Sequence, residues 1–200
     1  MNNIIFAIFI SFVNNVDNIS ARVAFSVKGI YISNRVNLLI SLITLILTGA
    51  ATFLGQMATG FFDQTISSFI SMLLFVGMGV WIVLDTLLKV DKKKARKNQL
   101  LKVIESPEEA DTNDSKDIDL VEAIVLGVAL SINNISGGFA AGMMGLNFIL
   151  VGVSSAVFNY IALWAGNYLT EIIVKLKLGM KATFVSGILL IAFGVCQLFI

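Results

Sequence analysis

Six long apolar runs are separated by polar stretches along the chain. Each run holds roughly 20 residues, the length that an α-helix needs to cross a hydrocarbon layer about 30 Å thick. We therefore expect an all-α, polytopic membrane protein with six transmembrane helices. The runs cover approximately residues 4–27, 36–58, 66–88, 120–144, 148–170 and 181–200.

The first and fourth runs carry amide and carboxylate side chains near their middles. The first contains SFVNNVDNIS around Asp17, and the fourth contains LSINNISGG around Asn133. Such groups are costly in hydrocarbon unless they are paired or hydrated, so intramembrane polar residues point to a substrate path. A cleaved signal peptide is not expected at the first run, because the run lacks a basic leading segment.

Composition agrees with the membrane class and excludes two kinds of site. Hydrophobic residues make up 57% of the 200 residues and charged residues 14%, which leaves too little polar surface for a soluble domain of this size. Histidine is absent and Cys196 is the single cysteine. Neither a thiolate or imidazole metal centre nor an internal disulfide is therefore expected.

Basic residues fall on one side of the six-helix arrangement. Residues 89–119 form a lysine-rich, charged and solvated linker, and Lys28, Arg35 and Lys175 lie at membrane ends on the same side. Because basic residues mark the cytoplasmic side, we expect a cytoplasmic linker and both termini outside, in a multi-pass protein of the cell membrane.

The two halves of the chain repeat. Residues 16–30 align without gaps over residues 132–146, which places Asp17 over Asn133, and residues 68–80 align over residues 183–195. Three spans per half give an inverted repeat, a design that transporters use for alternating access around a midplane site. Gene duplication with a purely structural role is the alternative. The predicted units are a first three-helix repeat at 1–88, the linker at 89–119 and a second three-helix repeat at 120–200.

Asp17 and Asn133 occupy equivalent places in the two repeats, so we expect them to meet near the midplane. Their neighbours would complete a site made of oxygen ligands with one negative charge, which suits Mn²⁺, Ca²⁺ or Na⁺ better than soft metals. Interhelical hydrogen bonding is the alternative role for each amide. The predicted ligands are Asp17, Asn14, Asn18, Asn133 and Asn134, with Ser20 and Ser136 as weaker candidates.

The segments SxxxNNVDNIS and SINNISGG resemble those of the manganese efflux pump (MntP-type) family and its YtaF-like sporulation relatives, within the lysine-exporter superfamily. The resemblance implies six spans in two inverted repeats, export of a divalent metal and a ligand role for Asp17. The chain departs from the family pattern where Asn133 replaces an acid. It also carries Arg22, which either reaches the cytoplasmic interface or turns toward Asp17 and neutralises it.

Several other intramembrane polar and small residues have two interpretations. Thr44, Thr48, Thr52 and Gln56 recur along one face of the second span, and Asn159 lies in the fifth; they line a path or serve helix packing. Gly77, Gly79, Gly187 and Gly194 either seat a partner helix of a homodimer or pack within the chain.

We therefore predict a secondary transporter that exports a divalent cation, with Mn²⁺ the expected cargo. An ion gradient would drive it, because no ATP-binding motif is present. No enzymatic activity, tightly bound cofactor or nucleic-acid partner is expected; the partners are the lipid bilayer, the transported cation and, as a further candidate, a second copy of the chain. Two alternatives remain open: an exporter of an amino acid or small organic solute, and a sporulation or assembly protein without transport.

Overall fold

The computed structural model of the protein describes residues 2–88, 99–175 and 178–196. It confirms the all-α class, since regular structure in these ranges is helical and an isolated bridge joins Tyr31 to Asp117. The helices are α1 (Asn2–Asn15), α2 (Asn18–Val27), α3 (Asn34–Ala58), α4 (Gln64–Leu88), α5 (Gln99–Glu105), α6 (Leu120–Met143), α7 (Phe148–Lys175) and α8 (Leu178–Cys196).

Within the described ranges, four helical segments are long and apolar enough to cross a membrane. Two shorter apolar segments, Asn3–Asn15 and Thr183–Cys196, lie in the first and sixth predicted spans. The chain is thus a multi-pass membrane protein, and six crossings stay a prediction. The four long segments are Asn34–Phe61, Gln64–Leu87, Leu120–Met143 and Phe148–Ala165.

The first apolar run does not form the single helix that the sequence predicts over residues 4–27. It breaks at Val16 and Asp17 into α1, of 14 residues, and α2, of 10 residues. The Asn15 amide donates to the Ser11 carbonyl over 2.7 Å and competes there with the backbone ladder. Asparagine and aspartate side chains favour helix ends over helix interiors for this reason.

Helix α3 packs against α6 and α7, while α4 packs against α8 and α6, and α1 and α2 pack against α7. Glycines let the α3 and α6 backbones approach closely: a Cβ on Gly142 would collide with the Thr52 carbonyl, and one on Gly55 with the Phe139 carbonyl. Lipid provides no hydrophobic driving force between helices, so the close van der Waals packing that small residues permit stabilises such crossings.

Replacing Gly142 by alanine is expected to destabilise the protein, because the added methyl group meets backbone that cannot move without shifting a helix. The expected loss is about 1–3 kcal/mol. Thermal unfolding in detergent measures it, and Gly77→Ala is the matched control, since a Cβ at Gly77 meets nothing within 4 Å. Equal melting temperatures for the two variants would contradict the packing described for α3 and α6.

Three of the four glycines considered as a seat for a partner helix pack inside the chain. Gly79 and Gly187 lie against each other's backbone across the α4 and α8 crossing, and Gly194 contacts Phe75 and Val76. The internal role therefore accounts for these three, and they lend no support to a homodimer.

Helices α2 and α6 end in the same way. Gly29 and Gly145 have φ of 71° and 78°, a conformation that glycine adopts without strain. The amide of the following residue bonds back to the last helical turn in each case, from Ile30 to the Phe25 carbonyl at 2.9 Å and from Leu146 to the Ala141 carbonyl at 3.1 Å. Glycine C-caps of this kind satisfy carbonyls that the helix end leaves unpaired.

The second part of the predicted linker packs onto the helices. Val103, Ala110 and Ile118 are buried in one cluster with Phe25 and Leu126. The Lys28 ammonium lies 3.3 Å from the Glu109 carboxylate at the end of α2. Residues 99–118 thus hold the end of α2 against the start of α6, which is more order than their charged composition predicts.

Candidate cation site at the helix break

The break between α1 and α2 places Asp17 beside the middle of α6. The Asn133 amide donates a hydrogen bond of 2.5 Å to Asp17 Oδ2, and both side chains are partly buried. Asp17 and Asn133 are the residues that the internal repeat aligns. The structure therefore brings together the pair that the repeat predicts.

Asn15 connects this pair to its neighbours. Its Oδ1 accepts from Asn134 Nδ2 at 2.9 Å and from Asn18 Nδ2 at 3.2 Å. Asn134 and Asn18 are predicted ligands, and both are buried. The break is thus held by amide hydrogen bonds that join α1, α2 and α6.

A second line of hydrogen bonds runs from Asn18 to α7 and α3. Asn18 Nδ2 donates to Asn159 Oδ1 at 2.7 Å, and Asn159 Nδ2 donates to the Ser41 hydroxyl at 3.4 Å. Asn15 and Ser41 were not among the predicted site residues. The spacing of Ser11, Asn15 and Asn18, four and then three residues apart on one helix face, is the signal that would have found Asn15.

Several oxygens at the break have no hydrogen-bond partner within the described part of the chain. They are Asp17 Oδ1, Asn14 Oδ1 and Asn134 Oδ1, each on a predicted ligand and each buried. Asn14 lies directly against α6, since a Cβ on Gly137 would collide with its amide. A buried acceptor without a partner costs about 1–3 kcal/mol, and a cation would satisfy several such oxygens together.

A cavity of about 320 Å³ extends from the break toward the linker. Asp17, Asn18 and Asn133 line it at the break, and Asp85 of α4 and Pro107 of the linker line it as well. The cavity thus joins two carboxylates, one partly buried in the first apolar run and one exposed near the end of α4.

Two weaker candidates are not placed at the site. Ser136 is exposed and does not line the cavity, so the structure does not bring it to Asp17. The Ser20 side chain lies outside the described residues. In the same described part, no three histidine, cysteine, aspartate or glutamate side chains group to hold a metal, so any cation here depends on amide oxygens around one carboxylate.

Arg22 extends away from Asp17. It is buried, and its guanidinium donates to the Ile30 carbonyl at 3.4 Å, beyond the end of α2. Asn133 holds Oδ2 of Asp17, whereas Oδ1 of Asp17 has no partner. Of the two roles considered for Arg22, neutralising Asp17 is therefore not supported by these contacts, and reaching the cytoplasmic interface stays a prediction.

The threonine face of α3 serves packing against α6. The Thr44 hydroxyl bonds to the Ser131 hydroxyl at 3.0 Å, Gly138 lies against Thr48 and Thr52, and the Gln56 amide donates to the Leu146 carbonyl at 2.8 Å. These contacts therefore support the packing interpretation of this face.

Comparison with known proteins gives a match to one family model. A model described as "Putative manganese efflux pump" (MntP) matches residues 34–198, which is most of the chain and includes Asn133 and Asn134. The chain belongs to this manganese efflux pump family. The match begins after Asp17, so the helix break and its carboxylate lie outside the matched residues.

One curated relative is the "Probable sporulation protein YtaF" of Bacillus subtilis (strain 168). It is 28% identical to this chain, and the alignment covers 76% of the chain and 80% of the relative. No solved structure matches the chain.

Proposed function

We propose that the protein is a secondary transporter that exports Mn²⁺ through the helix break between α1 and α2. The observation that carries the proposal is the pairing of Asp17 with Asn133 at the edge of a cavity, beside buried oxygens that lack partners. Membership of the manganese efflux pump family supports the choice of cargo. Oxygen ligands suit Mn²⁺, a hard to borderline cation.

The proposed path begins at the cavity. A cation that enters beside Asp85 meets Asp17, Asn18 and Asn133 on the cavity wall. Asn14 and Asn134 lie deeper, and their buried Oδ1 atoms face no other partner in the described chain. Broken helices in transporters place ion ligands near mid-membrane, because irregular backbone is tolerated where it lines a cavity, and we propose the same placement for this break.

The proposed architecture is a pair of inverted three-helix repeats, residues 1–88 and 120–200. The main helix contacts correspond when the first-repeat helices are exchanged for their second-repeat partners. The contact of α3 with α6 corresponds to that of α7 with α1 and α2, and the contact of α4 with α6 to that of α8 with α2. The matching ends at Gly29 and Gly145 support the same pairing. Both termini outside and a cytoplasmic linker complete the proposal.

The residues that line the cavity favour a cation over an amino acid as the cargo. An exporter of amino acids needs a cation in the cavity to receive the carboxylate of the substrate. Arg22 does not line the cavity, and its guanidinium bonds to the Ile30 carbonyl. These two observations do not favour that alternative.

A manganese challenge tests the proposal directly. Cells that lack the protein should accumulate Mn²⁺ and grow poorly in excess manganese, and the wild-type chain should restore both intracellular metal and growth. If cells with and without the protein hold equal Mn²⁺ at every external concentration, the protein does not export manganese. A role in assembly without transport would then account for the amide hydrogen bonds.

Asp85 should concentrate cations at the mouth of the cavity without binding the cargo at the transport site. We expect Asp85→Asn to raise the KM for Mn²⁺ by about three- to tenfold while kcat stays near wild type, since a local negative charge raises the cation concentration. Transport into vesicles measures both constants. Asp63→Asn, at the other end of α4, is the matched control and should leave KM unchanged; an equal rise in both variants would contradict the role of Asp85.

A further inference from the structure

The segment before α6 carries a ligand spacing that the transport site does not use. In EF-hand calcium loops, oxygen ligands come from the first, third, fifth, seventh, ninth and twelfth residues, and the twelfth is a glutamate. Residues 111–122 read DTNDSKDIDLVE. Oxygen-bearing side chains stand at all six places, in the order Asp111, Asn113, Ser115, Asp117, Asp119 and Glu122.

Other features of a calcium loop are present, but the glycine that such loops carry at the sixth place is Lys116 in this chain. The sixth residue of such loops has a sharp left-handed turn, and Lys116 has φ of 65° there. The residue at the eighth place is Ile118, whose side chain is buried in the cluster that contains Phe25. Helix α6 begins at Leu120, so the last ligands fall in its first turn, as in the exiting helix of an EF-hand.

Glu122 forms a capping box with Asp119 and is buried without a basic partner among the described residues, which supports a cation beside the spacing. Its side chain is only 3% exposed, yet it pairs with no basic side chain in the described part of the protein. Neutral donors surround it: Thr112 N and Oγ1 at 2.8 and 2.7 Å, and Asp119 N at 3.1 Å. Buried carboxylates are normally paired with a cation or coordinated to a metal.

We propose that residues 111–122 bind a Ca²⁺ ion, at a site separate from the transport path. Asp111 already folds the loop, since its two oxygens accept from Ser115 N and Lys116 N at 3.1 Å each. In the described residues no three acidic side chains of this loop are gathered as they would be around an ion. On binding, Glu122 exchanges its bonds to Thr112 for the ion and supplies two oxygens. Ca²⁺ fits better than Mg²⁺, because it accepts six to eight oxygens in flexible geometry, whereas Mg²⁺ requires a near-octahedral set.

The ion would connect the loop to the transport helices. Tyr31, just after α2, donates its backbone N–H to the Lys116 carbonyl at 2.9 Å. The same loop leads directly into α6, which carries Asn133. A bound ion therefore fixes the start of α6 against the turn after α2.

Equilibrium binding of radioactive Ca²⁺ to the purified full-length protein in detergent tests the proposal. The wild-type chain should bind one Ca²⁺, and Glu122→Gln and Asp111→Asn should each weaken binding by about tenfold or more. Glutamine at the place of Glu122 retains the capping arrangement at the start of α6. Asp114→Asn is the matched control, because it removes one charge from the loop at a place that supplies no ligand.

The outcomes separate this site from the transport site. Wild-type affinity in both Asp114→Asn and Asp17→Asn supports a dedicated loop. Absence of Ca²⁺ binding by the folded wild-type chain overturns the proposal. So does an equal loss in Asp114→Asn and Glu122→Gln, which would mean a diffuse attraction to acidic residues, or a loss confined to Asp17→Asn, which would place the ion at the helix break.

Discussion

Replacing Asp17 by asparagine is expected to abolish manganese export. The change is nearly isosteric and leaves an oxygen beside Asn133, but it removes the one carboxylate that the break presents to the cavity. A divalent cation would then face only neutral oxygens in a poorly hydrated site, which costs far more than the lost hydrogen bond. We expect the transport rate to fall by at least about 100-fold. Mutating even a residue that only hydrogen-bonds to a metal ligand typically lowers metal affinity or activity by about 10- to 100-fold.

Vesicles that contain the purified variant measure this loss, with Mn²⁺ uptake followed by a metal-sensitive dye. Asp63→Asn removes a carboxylate outside the site and should transport like the wild type. Gel filtration and thermal unfolding establish that Asp17→Asn is folded. Export at the wild-type rate by folded Asp17→Asn would remove the basis for a cation site at the helix break.

Much of this site could be predicted from the sequence, because an internal repeat fixes which residues correspond. The gapless alignment of Asp17 with Asn133 predicts that they meet, and their hydrogen bond agrees with it. Asn14, Asn18 and Asn134 lie around the same break, as their positions beside the pair predict.

The helix break itself could not be predicted from hydrophobic periodicity. Residues 4–27 are apolar enough to form one span, and periodicity does not register the competition of asparagine side chains for backbone carbonyls. The same limit explains why the structure does not bring Ser136 to Asp17. The repeat aligns Ser136 with Ser20, but α6 is continuous where α1 and α2 separate, so the two equivalent positions differ in local geometry. Ser136 is exposed as a result.

The average composition of residues 99–118 does not predict their ordered packing. The segment is charged overall, and such segments are typically solvated. Its apolar residues are few, but Val103, Ala110 and Ile118 all belong to one buried cluster, which also contains Phe25 and Leu126. The tertiary packing of these few side chains therefore orders the segment, and an average composition does not show which positions are apolar.

Moving the carboxylate from one repeat to the other should preserve transport. In the double variant Asp17→Asn/Asn133→Asp, the acid stands on α6 and the amide on the α1–α2 break, with the hydrogen bond between them reversed. Because the two positions face each other, we expect Mn²⁺ export to recover to within about tenfold of wild type, whereas Asp17→Asn alone is expected to be inactive. Rescue of this kind cannot arise from a purely structural role of Asp17 in its own helix.

The single variant Asn133→Asp tests charge balance at the same place. Two facing carboxylates repel each other without a cation but neutralise a divalent one completely, so Mn²⁺ should bind about tenfold more tightly and Na⁺ should compete less. The metal-free protein should melt at a lower temperature than the wild type, and added Mn²⁺ should raise that temperature more. Unchanged Mn²⁺ affinity in Asn133→Asp, together with failure of the double variant, would mean that Asp17 and Asn133 touch without sharing a cation.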